Sequence, residues 1–152
     1  MYKRILVPVD GSQTAAAGLR EAIRLVSGSK GATIRLLHVM DPLPAMQGME
    51  IMITDQLLEN MEAFGKKVLR NAKTLVQRQG IGVDTVFQSN ALGRTSDAIV
   101  RQAAKWRADI IVMGTHGRRG ISRLVMGSDA EGVVRSSPVP VLLVRSKARK
   151  RR

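Results

Sequence analysis

The chain has no cysteine among its 152 residues. Without thiols it can form no disulfide, no thiolate nucleophile and no zinc–thiolate centre, and this composition is compatible with a reducing cytoplasm. Only two histidines are present, His38 and His116, which disfavours a histidine cage for a metal. These absences exclude thiol-based catalysis and make a metal centre built from protein ligands a poor hypothesis.

Aromatic residues and long apolar runs are also scarce. Aromatics make up 3% of the chain against a hydrophobic share of 44%, so the core must be built from aliphatic side chains. No stretch approaches the roughly 20 apolar residues of a membrane span, and the short apolar run after Arg4 is too brief for a signal peptide. A chain of this length fits one domain. We therefore expect a single soluble domain in the cytoplasm.

Basic residues outnumber acidic ones, 25 against 12, which gives a net charge of +13. Six of the basic residues lie between Arg145 and Arg152, a stretch without an acid, and the remaining 19 against 12 leave +7. Such a run is typical of a solvated, disordered end. Nucleic-acid binding is disfavoured because no nucleic-acid motif accompanies the charge and stacking aromatics are nearly absent.

Short β-branched runs alternate with longer segments of helical periodicity. A near-continuous apolar run is typical of a strand that is covered on both faces. Five strands alternating with four helices predict a single doubly wound parallel α/β sheet, with helices on both faces and right-handed crossovers. A long connection is expected at 40–54. The strands are predicted at 5–9, 33–39, 83–88, 109–113 and 138–144. The first helix is predicted to follow the turn and cap residues 10–12 and to close at Gly28, and the last two helices are predicted at 96–105 and from Ser128 onward.

The helix that begins at Asp55 and stops at Gly80 shows the clearest amphipathic pattern. Apolar residues recur every three or four positions along it, which places them on one face. The residues predicted to face the core are Leu57, Met61, Phe64, Val68, Ala72 and Leu75.

The most distinctive pattern is a set of glycines after the fourth predicted strand, Gly114-x2-Gly117-x9-Gly127-Ser128. Glycine lets the backbone approach a phosphate closely, and a helix that starts at Ser128 presents free N–H groups at its N-terminus. Arg118 and Arg119 lie in the same loop and can add charge-assisted contacts. Ligands of open α/β sheets bind beyond the carboxyl ends of the strands, so this spacing at this place favours a nucleotide site.

Each of these residues also has a purely structural interpretation. Ser128 with Glu131 three residues later matches a capping box, and Asp10 can satisfy backbone donors in the turn before the first helix. His38 is interpreted as a core or strand-end histidine. The chain lacks a G-x4-GK[ST] loop and therefore the P-loop lysine, which argues against efficient hydrolysis of a nucleotide.

Three segments carry a resemblance to a known family: residues 5–12 (ILVPVDGS), residues 36–39 (LLHV), and residues 110–120 continuing to 127–131. With them the chain resembles the ATP-binding branch of the universal stress protein family over residues 1–145, which leaves 146–152 as a basic tail. The resemblance implies a five-stranded parallel sheet in the order 3-2-1-4-5, similar to the adenine nucleotide alpha hydrolase fold. It also implies a homodimer formed through the final strand, Val139–Val144.

The resemblance assigns roles to individual residues and implies ATP, or another adenine nucleotide, with Mg²⁺ as the ligand. Pro8 and Val9 would wall the adenine pocket, and Val39 would meet the adenine edge through its backbone. Asp10 would face the ribose and a nucleotide-bound Mg²⁺. The ribose and phosphates would contact Met113, Gly114, Gly117, Gly127, Ser128 and the backbone of Asp129, with His116, Arg118 and Arg119 as further phosphate contacts.

Three functions follow from these observations. The first is a nucleotide-binding module of the stress response that hydrolyses ATP very slowly or not at all. The second is a slow ATP hydrolase or phosphotransferase that uses Asp10 with Mg²⁺ and Arg118 or Arg119. The third is an adaptor for nucleic acid or a membrane surface that uses the basic tail.

Overall fold

The computed structural model describes residues 1–42, 54–90, 93–116 and 126–146. In these ranges strands and helices alternate as the sequence pattern predicts. The strands are β1 (Arg4–Pro8), β2 (Thr33–Met40), β3 (Gly82–Ser89), β4 (Ile110–Gly114) and β5 (Val141–Val144). The helices are α1 (Gln13–Val26), α2 (Asp55–Gln77), α3 (Thr95–Trp106) and α4 (Ser128–Ser136). Most of the predicted connection at 40–54 and of the basic tail lies outside the described residues.

The five strands form one parallel sheet in the order β3-β2-β1-β4-β5. Two apolar cores lie on its two faces. On one face, α1 and α2 pack against β1 and β2, and on the other face α3 and α4 pack against β1 and β4. The predicted fold, a doubly wound five-stranded sheet in the order 3-2-1-4-5, is therefore confirmed.

The middle strand, β1, contributes to both cores because successive side chains of a strand point to opposite faces. Ile5 and Val7 pack with α1 and α2, whereas Leu6 packs with α3 and α4. All three side chains are completely buried. Each such burial stabilises the fold by roughly 1.5–3 kcal/mol, which explains the continuous apolar run in the sequence.

Local sequence signals set the ends of the first two helices. The side chain of Ser12 accepts the N–H of Ala15 at the start of α1, and the side chain of Thr54 accepts the N–H of Leu57 at the start of α2. Gly28 and Gly80, which follow these helices, have φ angles of 78° and 68°. Positive φ favours glycine, so both helices end close to where the sequence predicts.

The prediction for the buried face of α2 is confirmed for Ala72 and Val68, which lie against the core, and is wrong for Phe64 and Leu75. The buried residues are Gly65, Leu69, Ala72 and Val76, whereas Phe64 and Leu75 are 38% and 37% exposed. A Cβ at Gly65 would lie 2.5 Å from Cδ2 of His38. Helix α2 thus approaches the sheet closely at a residue without a side chain, and Gly65 joins Leu69, Ala72 and Val76 on the buried face.

The last strand is shorter than the predicted 138–144. β5 begins at Val141, and its pairing with β4 runs from Val141 to Val144. Pro138 and Pro140 have no N–H to donate to a neighbouring strand. Before the strand, the hydroxyl of Ser137 bonds to both the carbonyl oxygen and the N–H of Val139, at 2.7 and 3.2 Å, which forms a local turn instead of a ladder.

No helix in the described ranges is long and apolar enough to cross a membrane.

At the amino edge of the sheet, one carboxylate joins the start of β1 to the start of β4. Oδ2 of Asp109 accepts the N–H groups of Lys3 and Arg4, each at 2.8 Å. The hydrogen bond from Lys3 has the largest effect on the pKa of Asp109, and the one from Arg4 has the next largest. Both hold this pKa below its ordinary value of 3.8. The ionised carboxylate therefore stabilises the folded state.

We predict that Asp109→Ala lowers the free energy of unfolding by about 1 kcal/mol at neutral pH, because two backbone donors lose a charged acceptor that is partly screened by solvent. Since the pKa is lower in the folded state, this stabilisation is present above the ordinary value of 3.8 and is lost as the pH falls through the folded-state pKa. Urea unfolding of both proteins along an acid pH series measures the difference.

The matched control is Glu59→Ala on α2. Glu59 is an exposed carboxylate that makes no hydrogen bond or ion pair with the described residues. Its replacement should change the stability by less than about 0.5 kcal/mol. A loss for Asp109→Ala that stayed constant down to the lowest pH would contradict the proposed role of the charge.

Candidate functional site

The candidate site lies at the carboxyl edge of the sheet, where β1 and β4 are neighbours. The chain leaves β1 toward β2 and β3, and it later returns to β4 on the other side of β1. The helix after β1 and the helix after β4 therefore cover opposite faces of the sheet. In open α/β sheets a crevice forms between such diverging connections, and ligands bind there.

Pro8 ends the pairing between β1 and β4 at this crevice. The ladder joins Ile5 to Ile110 and Leu6 to Ile111 and goes no further. The next hydrogen bond would need an N–H at residue 8, which proline lacks. On its other edge β1 stays paired with β2 through Pro8, and the N–H of Val9 donates to Leu37 at 2.8 Å. The sheet therefore opens between β1 and β4 only.

Hydroxyl groups attach the start of α1 to the end of β4. The Oγ1 of Thr14 donates to the carbonyl oxygen of His116. The Oγ of Ser12 lies 3.2 Å from Thr14 Oγ1, and Oδ1 of Asp10 accepts the N–H of Ser12 at 2.9 Å. Asp10 thus satisfies a backbone donor in the turn with one of its two oxygens. This chain of bonds holds the turn after β1 against the turn after β4.

Gly114 is required by packing before any ligand is considered. A Cβ at this position would lie 2.6 Å from the carbonyl carbon of Thr14 and 2.8 Å from its oxygen. The contact is reciprocal, since a Cβ at Gly18 of α1 would lie 3.2 Å from the nitrogen of Gly114. Helix α1 therefore approaches the end of β4 more closely than side chains would allow.

The start of α4 is held beside the end of β4. The N–H of Gly127 donates to the carbonyl oxygen of Thr115 at 2.9 Å, and the N–H of Thr115 donates to Val144 of β5 at 3.0 Å. Gly127 is the N-cap and provides no side-chain hydrogen bond to the first turn. The N-terminal, positive end of the α4 dipole consequently lies at the edge of the crevice.

Ser128 and Glu131 do not form the capping box that was the structural alternative for them. Because Gly127 occupies the cap position, Ser128 is already the first helical residue and its hydroxyl comes one residue too late. The carboxylate of Glu131 instead pairs with Arg135 at 2.8 Å. Ser128 and Glu131 therefore do not form a capping box at the start of α4.

Two of the predicted site residues turn their side chains away from the edge. Val9 is 5% exposed in the core below α1 and α2, and Met113 is 6% exposed in the core below α3 and α4. These residues can meet a ligand mainly through their backbone. Pro8, Asp10 and Val39 are half-buried at the same edge.

Most of the predicted site converges on one place, and part of it lies outside the described residues. The ends of β1, β2 and β4 with the start of α4 bring together, in the described ranges, Pro8, Val9, Asp10, Val39, Met113, Gly114, His116, Gly127, Ser128 and Asp129. Gly117, Arg118 and Arg119 are outside these ranges, and their roles stay predictions.

Sequence reasoning missed Thr14, Gly18 and Thr115. Thr14 follows the Ser12 cap by two residues, and a hydroxyl at this spacing from a cap was a signal that could have indicated it. Gly18 lies in the interior of a helix, where glycine is unfavourable without a packing reason. Thr115 is 8% exposed and joins β4 to both β5 and α4 through its backbone.

The described ranges contain no group of three or more His, Asp or Glu side chains that could hold a metal ion. Asp10 is nevertheless at the end of β1, next to the crevice. Mg²⁺ is commonly bound by one or two carboxylates together with substrate phosphates and water. The residues present therefore suit a magnesium ion that arrives with a phosphate ligand, and Asp10 would be its protein ligand.

Comparison with known proteins identifies the relatives of this chain. The model of the universal stress protein family matches residues 1–145. Universal stress protein MJ0531 of Methanocaldococcus jannaschii is 31% identical over 149 residues, which cover 95% of this chain and 83% of that protein. The solved structure of protein MJ0577 from the same organism has a TM-score of 0.83 and 30% identity, with 97% of this chain and 98% of that chain covered.

More distant solved structures share the fold and were captured with nucleotides. A universal stress protein in complex with cAMP has a TM-score of 0.70 and 24% identity, with 96% and 99% of the two chains covered. The protein from Archaeoglobus fulgidus in complex with dAMP has a TM-score of 0.67 and 23% identity, with 94% and 98% covered. A family member from Arabidopsis thaliana with AMP bound has a TM-score of 0.65 and 17% identity, with 97% of this chain and 94% of that chain covered.

Proposed function

Since this chain belongs to the universal stress protein family, we propose that it is an ATP-binding module of the stress response. The nucleotide lies at the carboxyl edge of the sheet, between the ends of β1 and β4. One observation carries this proposal. The pairing between β1 and β4 ends at Pro8, and the start of α4 lies at the same edge because the N–H of Gly127 donates to Thr115 at the end of β4.

The adenine moiety is the part of the ligand for which relatives give support. Proteins of the same fold were solved with AMP, dAMP and cAMP, and these ligands share the adenine base and one phosphate. A crevice that accepts the same moiety suits ATP, AMP or cyclic AMP. We propose ATP because the glycine spacing from Gly114 to Gly127 resembles that of the ATP-binding branch of the family, and glycines allow backbone donors to approach more than one phosphate.

The backbone of Val39 is suited to meet the edge of the base. In a parallel strand, alternate residues turn both their N–H and C=O toward the same neighbour. Leu37 accepts a hydrogen bond from β1, and Met40 accepts one from Asn90, which follows β3. Val39 therefore turns its N–H and C=O toward β1, but beyond the point where β1 ends at Pro8. One donor and one acceptor face the crevice side by side.

The phosphate end is supported by the start of α4. A helix N-terminus contributes only about 0.3–1 kcal/mol for each charge at an exposed site, so several donors must act together. Gly127 lets a phosphate approach the backbone of Ser128 and Asp129 without a side chain in between. His116, at the end of β4, can add a donor, and Arg118 and Arg119, which follow it in the sequence, can add positive charge.

Asp10 is the residue we assign to a nucleotide-bound Mg²⁺. One carboxylate oxygen accepts the N–H of Ser12 at 2.9 Å, and no other hydrogen bond to this carboxylate occurs within the described part of the chain. The second oxygen is therefore available to a cation. Mg²⁺ bound there would neutralise phosphate charge next to a carboxylate that would otherwise repel it.

We propose binding with very slow hydrolysis or none. Efficient phosphoryl transfer needs a positioned water, a base and charge stabilisation in line with the terminal phosphate. The sequence has no P-loop lysine, and Asp10 is already used by the turn and assigned to the cation. A phosphate-release assay on the titrated samples separates a binding module from a hydrolase.

We also propose that two copies pair through β5, with residues 146–152 as a tail outside the domain. Val141–Val144 is an edge strand whose residues are all only half-buried, and Val134 of the adjacent α4 is 48% exposed. An uncovered apolar edge strand is a liability in a monomer.

We expect sedimentation equilibrium of the full chain to give twice its 16.6 kDa mass. The variant Leu143→Lys should give a folded monomer. A wild type that sediments as a monomer would contradict the pairing.

We predict that Gly127→Val weakens ATP binding by at least about tenfold, because a branched side chain at the cap separates phosphates from the first turn of α4. The fold should survive, since Gly127 has φ −63° and ψ 150°, an extended conformation that valine also adopts. Calorimetric titration of both proteins with ATP, AMP and cyclic AMP in the presence of Mg²⁺ measures the effect.

Adenosine is the control ligand because it lacks phosphates, and its affinity should be the same in both proteins. Ala104→Val, on an exposed position of α3, is the control variant and should bind ATP like the wild type. No binding of any adenine nucleotide by the wild type would sink the proposed function. Equal ATP affinity of Gly127→Val and wild type would dismiss the phosphate site while leaving the adenine site.

We predict that Asp10→Asn removes most of the gain in ATP affinity that Mg²⁺ provides. Asparagine keeps an oxygen that can accept the N–H of Ser12, so the turn is preserved, but it lacks the negative charge that Mg²⁺ prefers. Titrations with ATP in Mg²⁺ and in EDTA give the gain for each protein. An unchanged gain in Asp10→Asn would show that the cation is held without this residue.

A further inference from the structure

His38 lies in the core beneath the proposed adenine site. Its side chain is 5% exposed, and its Nδ1 lies 2.8 Å from the carbonyl oxygen of Val9. The ring stacks on Phe87, with centroids 5.9 Å apart and planes at 17°, and it meets Phe64 edge-on at 6.3 Å. Since a carbonyl oxygen only accepts, Nδ1 must carry a hydrogen and donate it.

This hydrogen bond falls at the place where the ladder between β1 and β2 would continue. The N–H of Val9 donates to Leu37, and the next bond of a parallel ladder would run from the N–H of Val39 to the carbonyl oxygen of Val9. Among the described residues no such bond forms. The side chain of His38 binds this carbonyl oxygen instead, so the last rung of the ladder is made by a side chain.

The position of the imidazole ring depends on the packing of α2. A Cβ at Gly65 would lie 2.5 Å from Cδ2 and 2.7 Å from Nε2 of His38. The helix therefore has room for the ring only because residue 65 is glycine. Gly65, Phe64 and Phe87 enclose the ring, and its Nδ1 faces the carbonyl oxygen of Val9. The bond to the carbonyl oxygen is thus a built feature of the core.

We propose that His38 is a positioning residue for recognition of the base. By binding the carbonyl oxygen of Val9, it leaves the N–H and C=O of Val39 to the crevice, where they face a ligand. This inference rests on the proposed function, because it requires a base beside β2.

The consequence is selectivity for adenine. Adenine offers an acceptor at N1 next to the donor at N6, which complements the N–H and C=O of Val39. Guanine offers a donor at N1 next to the acceptor at O6, the reverse pattern. A mismatched base leaves both backbone groups of Val39 without partners, which is costly in a buried site. His38 therefore acts on the choice of base and leaves the phosphate contacts unchanged.

Two substitutions separate the hydrogen bond from the space that the ring fills. In His38→Asn the amide nitrogen takes nearly the position of Nδ1 and can donate to Val9. In His38→Gln the amide lies one carbon further out, near the position of Nε2 beside Gly65, and does not reach Val9. Both variants lose the aromatic ring, so they are matched for the loss of stacking.

We expect His38→Gln to bind ATP about tenfold more weakly than the wild type, with an equal loss in the preference for ATP over GTP. Binding of inorganic tripolyphosphate should not change, because the start of α4 is untouched. His38→Asn should keep the wild-type preference for ATP. Calorimetry with ATP, GTP and tripolyphosphate measures all three proteins, and thermal unfolding reports whether each variant is folded.

The tautomer of His38 tests the proposal on the wild type, whatever the variants do. Nitrogen–proton correlation spectra at neutral pH should show the hydrogen of His38 on Nδ1. A neutral ring that carries its hydrogen on Nε2 would overturn the inference, since it could not donate to Val9. This measurement decides the question if His38→Gln does not fold.

The outcomes separate this inference from the proposed function. A wild type that binds no adenine nucleotide rejects the proposed function itself. A wild type that prefers ATP, with a folded His38→Gln that keeps the same preference, rejects the role of His38 alone. An equal loss of ATP and tripolyphosphate binding in His38→Gln would mean a general loss of structure and would also reject the role of His38. A His38→Asn variant that binds like His38→Gln would reject this role as well.

Discussion

Strand β1 is buried on both faces and paired on both edges, and it ends at a proline. Its side chains belong to both cores, so the two helical layers meet the sheet through this strand. Because Pro8 cannot donate a hydrogen bond, the strand separates from β4 while it stays paired with β2. The crevice between β1 and β4 follows from this one-sided ending.

Glycines determine how closely the helices approach this edge. Gly18 and Gly114 allow α1 to contact the end of β4, and Gly65 allows α2 to enclose the ring of His38. At each contact an added Cβ would lie at 2.5–3.2 Å from its nearest neighbour, closer than ordinary packing permits. On the face of the sheet that α1 and α2 cover, the backbone therefore lies near the ligand edge, and a phosphate or a base can be bound by main-chain groups.

Several features were predicted from the sequence because they depend on neighbours in the chain. The alternation of strands and helices, the Ser12 cap and the glycines that end α1 and α2 were all predictable from local patterns. Other predictions were wrong. The apolar pattern of α2 did not indicate Gly65, Leu69 and Val76 as buried, because this depends on how the helix packs on the sheet and on His38. Strand β5 begins later than predicted because Pro138 and Pro140 lack an N–H and Ser137 forms a local turn before the strand.

The sequence by itself determined the fold class, and through the family resemblance it indicated the order of the strands and the edge at which a nucleotide would bind. Hydrophobic periodicity and glycine spacing are local properties that can be recognised in the sequence alone. Only the tertiary structure decided which groups of that edge face the crevice. The direction of a backbone N–H or C=O depends on the strand beside it, and the orientation of His38 depends on a helix that follows it in the chain.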